Sequence, residues 1–294
     1  MFTHQRKDQA SAQAPAAEPR QAARGFGSNS ERAQALGARR APPPASPRAL
    51  GRADQERLRA LASREGIDSA PALEARIAAI ASLLSRAGDQ RGLFPVVYAR
   101  ITERARASLD ESAYRDPAWA ERLIVAFGHR YLDNLAAHLD GRAPTPAWER
   151  YYALAAQGDV PVETLAQAIT AHLVDDLPRS LADVDSGPAQ RDDFMHFGEL
   201  LLESFSALVD DVRRAYGVDA EPLLSGLAPG KWMDQALGPK TASRLIFQGI
   251  RQKAWMMSQR LADPRWAGSA NFEIKASLAA IETALCGLEK AGAL

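Results

Sequence analysis

The stretch "AITAHLVDDLP" (168–178) decides how this chain is read. Its apolar positions follow a helical period: Leu165, Ile169 and Leu173 form one stripe. His172 and Asp176, four residues apart, fall in the middle of that same stripe. Two ionisable groups on a core-facing side need partners inside the fold, because an isolated buried charge costs several kcal/mol. Pro178 cannot continue a regular helix without losing a backbone bond, so the helix is expected to end or kink there.

The same helical pattern extends in both directions. From residue 52 onward there is no sustained period-two alternation and no Asn-Gly or Asp-Gly hairpin turn. The spacing predicts helices over 53–64, 70–87, 93–110, 116–140, 145–157, 161–177, 189–216, 239–262 and 269–290. They are separated by "GDQRG", "LDGRAPTP", "QGDVP", "DSGP", "YGVD", "LAPG" and "DPRWAGS". The connections are short and no linker divides the body. The expected fold is therefore all-α: a single multi-helix bundle over 52–294.

Residues 1–51 read differently. They are rich in Ala, Pro, Gln, Ser and Arg, and "APPPASP" (41–47) is a polyproline-type spacer. So few large apolar side chains cannot offset the entropy of ordering, and a disordered N-terminal arm is expected. "NSERAQALG" (29–37) carries the cap and stop of a brief helical element.

The 294 residues balance 36 basic against 36 acidic side chains, so no global charge drives the chain to nucleic acid or anionic lipid. The basic excess lies in the arm: residues 1–52 hold nine Lys/Arg against three Asp/Glu, leaving 27 and 33 in the body. The single cysteine, Cys286, cannot form an intrachain disulfide, and a core position suits it better than a nucleophilic one. No run approaches the ~18 apolar residues of a membrane span, and a secretory apolar segment is missing. A cytoplasmic protein is expected, with non-classical export left open for the arm. The sequence contains no G-x-x-x-x-G-K-[ST], G-x-S-x-G, H-E-x-x-H or C-x-x-C motif.

Helical wheels pick out other polar residues on apolar faces. In 116–140, Arg130 and Asn134 lie on the side of Trp119, Leu123 and Phe127; Tyr131 and His138 sit at its edge and Asp133 flanks it. In 239–262, Arg251 lies beside Phe247, Ala254 and Leu261, next to Trp255. In 189–216 the stripe Phe194, Leu201, Phe205, Leu208 and Val212 is clean; Asp193 is at its margin and His196 lies opposite, in solvent. If these groups converge, three readings stay open. In a metal-free pocket, His172 oriented by Asp176 moves a proton, and Arg130 and Arg251 hold an anionic or ester-type substrate beside Tyr131, Asn134 and Trp255. In a metal-assisted hydrolase, His172, Asp176, Asp133 and His138 ligate a divalent ion, against the opposing charge of the arginines. In a structural network, the pairs join helices and need no ligand. The third is compatible with a non-catalytic cargo or interaction protein whose arm docks to a partner.

"FPVVYARIT" (94–102), "FGHRYLDNLAAH" (127–138), "AITAHLVDDLP" (168–178), "RDDF" (191–194) and "RQKAWMMSQRL" (251–261) occur in an order that resembles the bacterial family called domain of unknown function 5995. The resemblance covers roughly residues 90–262. It implies a helical fold with a shared polar centre and carries over Arg130, Tyr131, Asp133, His172, Asp176, Arg251 and Trp255. His129 stands where the family often has Asn. No activity comes with the resemblance. The arm lies outside it and is similar only loosely to the loading segments of proteins delivered by bacterial injection machines.

Overall fold

The computed structural model describes residues 49–111, 113–221, 223 and 241–290, with the side chains of 244–287 within the last stretch. The arm expected over 1–51 lies outside the described residues except for its last three. Of these, Leu50 is already buried in the main core, and its carbonyl accepts a hydrogen bond from Gln55 Nε2 at 2.9 Å.

The described residues are α-helical with no strand. Numbered along the chain, the helices are α1 (Arg52–Ala62), α2 (Ala70–Ala87), α3 (Leu93–Asp110), α4 (Pro117–Leu139), α5 (Pro146–Gln157), α6 (Pro161–Thr170), α7 (Leu177–Asp183), α8 (Arg191–Glu203), α9 (Phe205–Tyr216), α10 (Thr241–Leu261) and α11 (Pro264–Lys290). α2 and α3 have the bounds that the spacing predicts. Between them the chain reverses through Gly88, whose φ of 66° is left-handed and closes α2.

Two expectations need correction. The single helix over 189–216 is broken at Ser204 into α8 and α9; the apolar stripe runs through the break, so it gives no sign of it. And Pro178 does not end its helix. Ala171–Asp176 forms a π-helical segment that joins α6 to α7, and the Leu177 N–H reaches back five residues to the His172 carbonyl. A proline ring crowds the carbonyl four residues before it. The wider turn just ahead of Pro178 relieves that crowding, and the helix continues to Asp183.

Proline and aspartate start α4. Pro117 occupies the first turn and Asp116 accepts from Trp119 N–H at 2.9 Å. Asp193, buried at the start of α8, accepts from the backbone N–H groups of Arg115 (3.1 Å) and Asp116 (2.8 Å). One carboxylate thus ties the entry of α4 to α8. The main core gathers α1 to α5, with Leu58, Leu73, Ile77, Tyr131, Trp148 and Tyr151 fully enclosed. A second apolar cluster forms where α3 meets α6 and α9, and a third where α4 meets α7, α8 and α10. A cavity lies where these clusters adjoin.

Candidate functional site

His172 sits in the π segment and is 3% exposed; Asp176 is 1% exposed. π segments in α-helices occur often at functional sites because they re-aim side chains at a local cost. Here the four-residue spacing is kept: His172 Nδ1 and Asp176 Oδ2 are 2.9 Å apart. The same Oδ2 accepts from Trp148 Nε1–H on α5 at 2.8 Å. An ionised carboxylate only accepts, so the imidazole proton is on Nδ1 and Nε2 carries the lone pair. Nε2 is buried and has no hydrogen-bond partner among the described residues.

Aromatic rings hold the imidazole in place. Phe127 stacks on it with centroids 3.5 Å apart and planes 13° apart. Tyr98 and Phe94 meet it edge-on at 4.7 and 5.1 Å. Burial pushes the imidazole below its ordinary pKa, against the raising influence of Asp176. Burial pushes the Asp176 carboxyl up, and its bonds to His172 and Trp148 oppose that. Burial thus favours the neutral imidazole, and the His172 side chain lines a cavity.

That cavity has a volume of about 110 Å³, and its lining is almost wholly apolar. α3 contributes Phe94 and Tyr98, α4 Leu123 and Phe127, the π segment His172, α8 Phe194 and Phe197, and α10 Phe247 and Arg251. Among the described lining residues there is no serine or cysteine. The Thr102 hydroxyl is engaged with the carbonyls of Tyr98 and Ala99, and Asp193 is occupied by its two backbone donors.

Arg251 is the other polar group of note. Its side chain is 2% exposed and its guanidinium lies over the Phe194 ring at 4.0 Å, with Phe197 and Phe247 further out. Nη2 donates to the Phe194 carbonyl. Nε is buried with no acceptor, and no carboxylate pairs with this arginine among the described residues. Burial pulls its pKa down to about 9, with Tyr114 and Glu199 opposing. Gly198 makes the room: a Cβ there would come within 2.5 Å of Arg251 Nε and 2.8 Å of its Cδ.

His172, Asp176 and Arg251 are therefore brought to one place, the first and last on the cavity wall and Asp176 behind His172. The other expected site residues go elsewhere. Arg130 pairs with Asp183 at the protein surface. Asp133 pairs with Arg64, also in solvent. Asn134 is buried but serves the backbone, donating to the Arg130 carbonyl and accepting from Thr145 N–H, both at 2.8 Å. Tyr131 lies one layer behind the cavity, against Phe94, Tyr98 and Trp148. Trp255 packs on Phe194 from outside, with centroids 5.4 Å apart. His138 stacks on Tyr152 at 4.0 Å.

The four side chains expected to share a metal thus do not meet. Asp133 and His138 are spent on separate contacts, and among the described residues no three His, Cys, Asp or Glu groups gather as a metal site. A wheel gives a side chain's direction but not its height along the helix, and that is why one apolar face was read as one cluster. The shared polar centre implied by the resemblance is likewise corrected: the centre is aromatic and apolar, with two polar groups set into it. Trp148, the second donor to Asp176, went unrecognised in the sequence; nothing in its own helix marks it.

A family model described as "Family of unknown function (DUF5995)" matches residues 71–287. The chain belongs to this family. The match covers all the described cavity residues and reaches beyond the 90–262 that the motifs suggest. No curated protein and no solved structure matches the chain. Among the described residues no helix is long and apolar enough to cross a membrane.

Proposed function

We propose that this family member binds a small, mostly apolar molecule in the cavity and that His172 acts on it as a hydrogen-bond acceptor and general base. One observation carries this reading: His172 lines the cavity, its Nε2 is buried and unpartnered among the described residues, and its Nδ1 is fixed by Asp176. A buried polar atom without a partner is uncommon in folded proteins and invites a ligand donor. An Nδ1–H held by a carboxylate is also the arrangement that stabilises the imidazolium once Nε2 takes a proton. With no serine or cysteine among the described lining residues, the imidazole's partner is a proton on the bound molecule or on a water, the latter suiting an ester-type substrate.

Size narrows the choice. The cavity is smaller than the roughly 150 Å³ void known to house benzene, so the occupant is of about that size or less. Phenol is a suitable probe, with an apolar ring and one donor. In protein with ¹⁵N-labelled histidine, phenol is expected to shift the His172 Nε2 resonance and raise the melting temperature, and His172→Phe is expected to abolish both. No response of that resonance to phenol, or unchanged phenol binding by a folded His172→Phe protein, overturns the reading.

A further inference from the structure

Resting on the part of that reading in which the cavity binds a small, mostly apolar molecule, we infer that its ligand class is a short-chain monocarboxylate, its carboxylate held by Arg251 and its apolar body among the aromatic rings. A guanidinium has five N–H donors and no acceptor. Here one Nη2 donor reaches a neutral carbonyl, Nε reaches nothing, and no carboxylate among the described residues neutralises the charge. The Phe194 face at 4.0 Å offsets part of the burial cost, but stacking leaves the donors in the guanidinium plane unused. Gly198 shows that the side chain is accommodated at close quarters, since any larger residue there would collide with it.

The candidate counter-charges nearby are committed elsewhere. Asp193 serves the Arg115 and Asp116 N–H groups, Asp176 serves His172 and Trp148, and Glu199 is bonded to Arg244 and Gln248. A ligand anion is what the site lacks. Charge balance makes that anion single: one guanidinium in an apolar cavity neutralises one negative charge, and a phosphate dianion would leave a net charge buried. Carboxylate geometry also matches two donors of the guanidinium fork. The small volume restricts the body to a branched or ring-shaped group of a few carbons.

Isobutyrate and its neutral isostere isobutyramide test the charge, with phenol as control. Calorimetric titration of the full chain is expected to show isobutyrate binding about tenfold or more tighter than isobutyramide, the increment of a charge-assisted bond. Arg251→Met is expected to remove that preference while phenol binding is retained, and Arg251→Lys to keep part of it. Because loss of a buried arginine can impair folding, the wild-type protein gives a second readout: the Arg251 guanidinium resonances should shift with isobutyrate and stay put with isobutyramide. Equal binding of the two isosteres, or silent guanidinium resonances at saturation, overturns the inference. If phenol still binds through His172 in that case, the broader reading stands; if phenol fails as well, both fall.

Discussion

Two groups of ionisable side chains in this molecule look alike on a helical wheel and differ in pairing and in exposure. At the surface, Arg64 pairs with Asp133 and Arg130 with Asp183. In the interior, His172 is bonded to Asp176, and Arg251 faces the same cavity as His172. The surface group is paired and wet. The interior group is buried and keeps an unused acceptor on His172 and an unused donor on Arg251. Exposed pairs contribute at most about 1 kcal/mol, whereas breaking a buried, hydrogen-bonded charge costs about 3–5 kcal/mol. The difference teaches which charges hold helices together and which wait for something else: a surface arginine is complete with its carboxylate, and Arg251 is not.

The contrast can be broken most severely at Asp176. Asp176→Ala leaves His172 Nδ1–H and Trp148 Nε1–H buried without an acceptor, so unfolding by denaturant should show a loss of about 3 kcal/mol or more. A loss below that of an exposed pair would mean the dyad is not part of the core. Next comes Gly198→Ala, where the added methyl collides with the Arg251 side chain. About 1–3 kcal/mol should be lost, together with the isobutyrate preference.

The pH dependence is a smaller effect with a definite sign. Burial holds His172, His129 and His138 below the ordinary imidazole pKa. The unfolded chain then binds more protons below about pH 6.5, so the stability from these groups is present above that pH and lost as it falls through the folded values. His172→Gln should flatten the slope of melting temperature against pH between about 7 and 5, and an unchanged slope would remove His172 from the cause. The smallest effect belongs to the surface: Arg130→Ala should cost less than about 1 kcal/mol, diminish with salt, and leave phenol and isobutyrate binding unaltered.

The helical frame was legible because periodicity reports which side of a helix is buried. The 70–87 and 93–110 stretches are delimited by glycine and turn residues and coincide with α2 and α3. The π segment was not, since an extra residue in one turn leaves the apolar pattern of 161–177 intact, and Pro178 then suggested a stop that the wider turn makes unnecessary. At the site, the bond between His172 and Asp176 was readable from four-residue spacing, being local. The partners that come from other helices were not: Trp148 is 28 residues from Asp176, and Phe127 is on α4. Arg130 and Arg251 received the same reading because both lie on apolar faces. Their fates parted through tertiary neighbours, Asp183 for one and the rings of Phe194, Phe197 and Phe247 for the other.

One nitrogen atom, His172 Nε2, carries the proposed chemistry. Long-range ¹H–¹⁵N correlation of the His172 ring reads it directly. A neutral ring protonated at Nδ1 is expected at pH 7, with an unprotonated Nε2 that resists titration below the ordinary imidazole range and moves when phenol is added. A ring protonated at Nε2, or one that titrates as a solvent-exposed histidine does and ignores phenol, would contradict that chemistry.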